Sequence, residues 1–276
     1  MLIKKIKKNK IKIFFILVLI FAFGYNFYQL INDIKNMKNM GAQDIVDAMS
    51  FFAFWKNIMT NEFAIYIILI SPVLITIAAV SDFFNEYHTG FFQNVLIKKK
   101  YSTYIKENIY KSWLKGGLII PFISIIIIMI SYILYPISTI MKSDYSILYF
   151  CDAFIKSPYL GFIFSTINMF LFGVLAINIG IILTKYVKHF VLMIIATFLS
   201  FVGISIFSEV VLGGIFAYNL NDKNIMNSFS IYNSWKLDDV QNLWLNSVVL
   251  IFYILLTLYL IFKIFKNKEK IILNYE

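Results

Sequence analysis

The sequence predicts an all-α integral membrane protein with six transmembrane helices and both termini in the cytoplasm, and three observations carry that prediction. Hydrophobic residues make up 60% of the chain and charged residues 14%, against roughly 25% charged in an average soluble domain. The apolar residues gather into six runs, each close to the ~20 residues that a helix needs to cross a bilayer core. The positive charges are all lysine, and they flank those runs. A net charge of +10 in a soluble chain would point to nucleic acid. Lysines placed at the ends of apolar runs follow membrane topology instead, so the lipid bilayer is the expected partner and nucleic acid is not. Residues 1–276 read as a single transmembrane domain. Cys151 is the one cysteine, which leaves no intramolecular disulfide and no cysteine-based metal site.

The first 12 residues hold six lysines, and 11–31 is the first apolar run. A basic start before an apolar stretch also fits a secretory signal. No small-x-small cleavage site follows, and more spans come after, so this run is expected to be an uncleaved first helix. The polar stretch 32–62 carries Ile45, Met49, Phe52 and Met59 at helical spacing with Trp55 beside them, and an amphipathic helix on the outer leaflet is expected there. The second span, 63–83, contains Pro72, which membrane helices tolerate when a neighbour satisfies the freed carbonyl. Residues 101–115 place Lys106, Lys111 and Lys115 among Tyr104, Ile105, Ile109 and Trp113, a basic amphipathic elbow at the inner interface. Spans three to six follow at 116–137, 159–184, 190–216 and 246–265, with polar connections at 138–158 and 217–245 and a short basic turn at Lys185, Lys188 and His189. Gly161, Gly173 and Gly180 mark a face of the fourth span that allows close helix packing.

Charge decides the orientation. Eighteen of the 25 lysines fall at the N-terminus, between spans two and three, in the turn between spans four and five, and at the C-terminal end. Those segments are therefore cytoplasmic, and the other three connections lie outside.

The chemistry-bearing motifs are missing from the sequence. None of the 11 glycines precedes Lys-Ser or Lys-Thr, there is no His-Glu-x-x-His, no Gly-x-Ser-x-Gly, and the two histidines, His88 and His189, fall on different loops. The chain is thus not expected to be an enzyme, and no catalytic, cofactor or metal site is expected in it. Within the spans, Glu209 is the ionisable group best placed to matter: a carboxylate at a helix centre costs about 2.5–3.5 kcal/mol, and the cost falls in the outer half of span five where Glu209 lies. Its place near the outer connection leaves two readings open, an interfacial structural role or the lining of a transport pathway. Asn168 and Asn178 on the fourth span are expected to make interhelical hydrogen bonds.

The stretch Asp82–Lys100 between spans two and three has an internal pattern that a linker would not need. As a helix it places Phe84, Tyr87, Phe91 and Val95 on one face, fit for a membrane surface or a groove in another protein. The run Asn85-Glu86-Tyr87-His88-Thr89-Gly90-Phe91-Phe92-Gln93-Asn94-Val95-Leu96, leading through lysines into span three, resembles the permease subunits of ABC-2 type transporters. The likeness lies in an acidic residue at the end of span two, a glycine a few positions on, a short apolar helix and a basic stretch. Phe91 stands where threonine is frequent after that glycine, and the basic stretch lacks the proline often found there. The resemblance implies that 84–115 is a cytoplasmic coupling segment seated on a separate ATPase subunit, with Glu86, Tyr87, Gly90, Phe91, Phe92, Asn94 and Leu96 as the coupling residues: Glu86 fixing the end of span two against neighbouring polar groups, Gly90 permitting a tight turn or close backbone approach, and Phe91, Phe92 and Leu96 providing apolar anchors. It implies that ATP and Mg sit on that partner ATPase and not in this chain, that a second permease copy or sister permease completes the assembly, and that the site of action is a bacterial cytoplasmic membrane. The function so implied is export of an amphipathic or lipid-like cargo, such as a peptide antibiotic. The rival expectation is a stand-alone membrane immunity or assembly protein that binds a peptide without moving it.

Overall fold

The computed structural model of the chain describes residues 2–41, 50–60, 62–89, 101–137, 157–220, 224–234 and 243–265. Those residues form ten α-helices: α1 (Leu2–Asn39), α2 (Phe51–Thr60), α3 (Glu62–His88), α4 (Tyr101–Ser112), α5 (Ile119–Leu134), α6 (Pro158–Thr184), α7 (Phe190–Ile206), α8 (Gly214–Leu220), α9 (Asn224–Ser228) and α10 (Leu243–Ile264). Two π-helical segments, Trp113–Gly117 and Phe207–Gly213, join α4 to α5 and α7 to α8. No strand occurs among the described residues.

Among the described residues, five helical stretches are long and apolar enough to cross a membrane: Tyr66–His88, Thr103–Leu134, Pro158–Thr184, Phe190–Leu220 and Trp244–Ile264. The fold is that of a multi-pass membrane protein. The first expected span, 11–31, falls inside the 38-residue helix α1, which is not one of these five.

At the centre of the bundle, α6 packs against α3, α5, α7 and α10. Glycine permits that central place. A Cβ on Gly180 would stand 2.9 Å from Thr76 Cγ2, and one on Gly116 would stand 2.6 Å from Ala79 Cβ. Without those atoms, α3, α6 and the first π segment approach almost backbone to backbone, the small-residue contact on which membrane helices rely for association.

The two prolines inside apolar runs have separate local solutions. Pro72 has no N–H for the Ile68 carbonyl, and the Ser71 hydroxyl donates to that carbonyl instead, at 2.7 Å, so α3 runs unbroken through the proline. Pro121 leaves the Gly117 carbonyl without its α-helical donor. There the chain widens into the π segment Trp113–Gly117, where the glycine pair offers no side-chain resistance. The elbow expected at 101–115 is for this reason helix that continues through the π segment toward α5, not a bend between separate elements.

Two connections differ from expectation. The helix expected at the outer leaflet exists as α2, but it does not lie on a surface, where one face would stay wet: eight of its ten residues are buried, including Lys56 at 2% exposure. It packs against α1, α3 and α5. The Trp55 indole donates to Ser124 Oγ at 2.9 Å, Asn26 donates to the Ile58 carbonyl at 3.2 Å, and the Phe52 ring meets Tyr159 edge-on. Ile45 and Met49 of the expected helix lie outside the described residues. In the last connection, α9 folds back on the second π segment, and residues 228–231 and Ser234 are buried. Asn168 donates to the Ser234 carbonyl at 2.9 Å and accepts from Ser247 Oγ at 2.7 Å, so one amide holds this returning turn to both α6 and α10.

Candidate functional site

The end of α3 that carries the expected coupling residues is clamped on several sides. Its apolar stripe is occupied by the chain itself and not by lipid or a foreign groove. Phe83 and Tyr87 pack on Phe265, with ring centres 5.8 and 5.9 Å apart, and Phe84 packs on Phe190 at 5.4 Å. Tyr87 is 6% exposed, so its ring anchors α3 and offers no surface to a partner. Polar contacts add further ties, while Asn85 and Thr89 stay exposed. Tyr104 Oη donates to Glu86 Oε2 at 2.7 Å, His88 Nε2 lies 2.9 Å from the Thr184 carbonyl, and Lys115 reaches Asp82 at 3.4 Å. Thr89 Oγ1 donates to the Asn85 carbonyl at 2.6 Å and closes the helix end. The segment is thus bound to α4, α6, α7 and the end of α10 together. Gly90, Phe91, Phe92, Asn94 and Leu96 lie outside the described residues.

A separate chain of hydrogen bonds lies within the bundle. The Trp113 indole N–H, in the first π segment, donates to Asn178 Oδ1 at 2.9 Å. Asn178 Nδ2 donates to Thr257 Oγ1 at 3.1 Å, and Thr257 donates to the Tyr253 carbonyl at 2.8 Å. Asn178 is fully buried, and the interhelical role expected of it and of Asn168 is what the geometry shows. Trp113 and Thr257 escape a sequence reading because nothing in either run marks them as partners of one asparagine. Asn178→Leu strips both side chains of that partner. Interhelical hydrogen bonds in membranes average about 0.6 kcal/mol and reach about 1.7, so the two together are expected to cost about 1–3 kcal/mol, read as a lowered thermal midpoint in mild detergent. Asn178→Gln is expected to recover part of the loss.

Glu209 stands apart, in the second π segment at the other end of the bundle. It is half-buried and lines a cavity of about 380 Å³ together with Leu69 of α3, Ile206 of α7, and Ser230, Tyr232 and Asn233 of the returning turn. Among the described residues no hydrogen bond or ion pair reaches its carboxylate. Tyr232 is wedged beside Phe201 and Phe172, with ring centres 5.3 and 6.0 Å away, and its hydroxyl oxygen is buried with no hydrogen-bond partner among the described residues. Burial pushes this phenol well above the usual tyrosine range, so it stays neutral.

Family models, curated proteins and solved structures were compared with this chain, and none matches. Fold and site define an all-helical membrane protein with a tightly held segment at one end of its bundle and a polar cavity at the other.

Proposed function

We propose that the chain is the membrane-spanning subunit of an ATP-driven exporter of the ABC-2 permease type, in a bacterial cytoplasmic membrane. In this reading α1 supplies the first of six spans through 11–31, both termini are cytoplasmic, and the segment 84–115 docks a separate ATPase that binds ATP and Mg. A second permease copy or sister permease completes the assembly. The cargo is amphipathic or lipid-like, in keeping with spans rich in aromatic residues and poor in charge, and a peptide antibiotic fits that description.

The observation that supports this reading best is the clamp on α3. A permease with no nucleotide site of its own receives force through a surface contact, and that force moves the spans only if the contact is rigidly joined to them. Here the end of α3 is tied by rings and hydrogen bonds to α4, α6, α7 and α10, so a push on the segment that follows it is passed to most of the bundle at once. The test is reconstitution with a Walker-type ATPase encoded beside its gene. The assembled complex is expected to hydrolyse ATP and to do so faster when cargo is present, while this chain alone hydrolyses none. Failure of that ATPase to bind a folded chain would turn the assignment toward a stand-alone binding protein.

A further inference from the structure

We infer that the end of the bundle where α6 and α10 finish holds the headgroup of an anionic phospholipid. The inference goes beyond the exporter reading and does not require it. Three lysines stand at the span ends on this side. Lys185 follows the last residue of α6, Lys188 lies in the turn to α7, and Lys263 is in the last turn of α10. A direct contact brings two of them together: the half-buried Lys185 donates from Nζ to the carbonyl of Ile264, the residue next to Lys263, at 3.3 Å. The C-terminal end of a helix favours a cation, but that carbonyl takes only one of the three N–H groups and leaves the charge uncancelled. Among the described residues no carboxylate pairs with Lys185, Lys188 or Lys263. The two acids on the adjoining end of α3 are engaged elsewhere, Glu86 by Tyr104 and Asp82 by Lys115. A basic cluster of this kind at the end of membrane spans is the electrostatic complement of a lipid phosphate.

The occupant is a lipid and not a soluble anion because the charge continues into an apolar stripe. Lys263 Nζ lies 5.9 Å from the centre of the Tyr259 ring, one turn back along α10. Leu255, Tyr259 and Phe262 are all exposed and recur at helical spacing, so they form one stripe running from Lys263 toward the middle of the span. Tyr186, between Lys185 and Lys188, is exposed as well. Lysine and tyrosine at a span end belong at the level of the headgroups, with their apolar stems along the hydrocarbon. A molecule with a phosphate at that level and an acyl chain on the stripe meets both parts of the surface. A free phosphate leaves the stripe unused, and a zwitterionic headgroup brings its own cation against the lysines.

The test uses the full chain in a mild non-ionic detergent without any ATPase. The probes are phosphatidylglycerol and phosphatidylcholine with the same acyl chains, and native mass spectrometry reads the dissociation constant of the first bound lipid. A lysine near a membrane surface contributes about fivefold toward an anionic lipid, so Lys185 and Lys263 together should favour phosphatidylglycerol by about 25-fold. Lys263→Gln should weaken phosphatidylglycerol binding about fivefold, and the double variant with Lys185→Gln should bring it to the level of phosphatidylcholine. Lys263 makes no hydrogen bond or ion pair among the described residues, so its single variant stays informative even if loss of the tie from Lys185 to Ile264 disturbs the fold. Lys106→Gln, the same change of charge at an exposed site on α4, should bind phosphatidylglycerol as the parent does. Soluble glycerol phosphate should not compete at the lipid's own concentration. Equal affinity for the two lipids, the same loss in Lys106→Gln as in Lys263→Gln, or competition by glycerol phosphate would overturn the site. Because no ATPase is present, that failure is separate from failure of the exporter reading.

Discussion

Gly173→Leu is expected to leave little folded protein. A Cβ at that position would stand 2.9 Å from Gly117 Cα and 3.4 Å from Gly117 O, both backbone atoms that no rotamer change can move. The opposing glycine has no slack either, since a Cβ on Gly117 would meet the Phe170 ring at 2.9 Å. Overpacking a well-filled interior costs about 1–3 kcal/mol and occasionally more, and a rigid obstacle on the central helix puts this site at or above about 3 kcal/mol. The readout is the monodisperse fraction after mild extraction, with the thermal midpoint. Gly203→Ala is the control: nothing lies within 4 Å of a Cβ there, so packing should be unaffected. A Gly173→Leu chain as stable as its parent would mean that α6 and the first π segment do not meet as described.

Glu86→Ala is expected to abolish cargo-dependent ATP hydrolysis by the assembled complex while the chain still inserts and folds. The substitution removes the acceptor of the Tyr104 hydroxyl and with it the bond between the end of α3 and α4. The stability change should be modest, about 1–3 kcal/mol for a hydrogen bond to a charged group, because the ring contacts of Phe83, Phe84 and Tyr87 remain. The effect on coupling should be much larger than the effect on stability, since a segment with one of its ties cut yields to a push instead of transmitting it. Tyr104→Phe should mimic Glu86→Ala in hydrolysis, and the double variant should be little worse than either, as two halves of one contact require. Full hydrolysis in both single variants would detach the segment from force transmission.

Apolar length was the most legible property of the sequence. The fourth span, expected at 159–184, is the helix Pro158–Thr184, and the last, expected at 246–265, is Leu243–Ile264. Length is a local property, and a run of some 20 apolar residues has few alternatives to helix. Burial of short segments was not legible in the same way. Phe52, Trp55 and Met59 form an apolar face, but Phe51, Ala53 and Phe54 are apolar too, and what draws α2 inward is the pairing of Trp55 with Ser124 and of Ile58 with Asn26, residues 69 and 32 positions away. The serines and asparagines of 228–234 look like a loop because polar residues usually mean water. Phe229, Ile231 and Tyr232 nevertheless carry that turn back into the bundle. Glu209 could be singled out as a charge in a span, whereas its cavity depends on Tyr232 returning from 23 residues later. Glu86 was marked by its spacing to Gly90, but its bond to Tyr104 across 18 residues shows only in three dimensions.

The central claim is that the segment following α3 seats an ATPase, and the most direct measurement is recovery of partners through a tag at Glu276. Native membranes are solubilised gently, the tagged chain is captured, and co-purifying proteins are identified by mass spectrometry beside a Gly90→Leu variant. An ATPase that accompanies the parent and is lost from the equally folded variant is the predicted result. An intact parent chain that brings down no ATPase in several mild detergents would contradict the account.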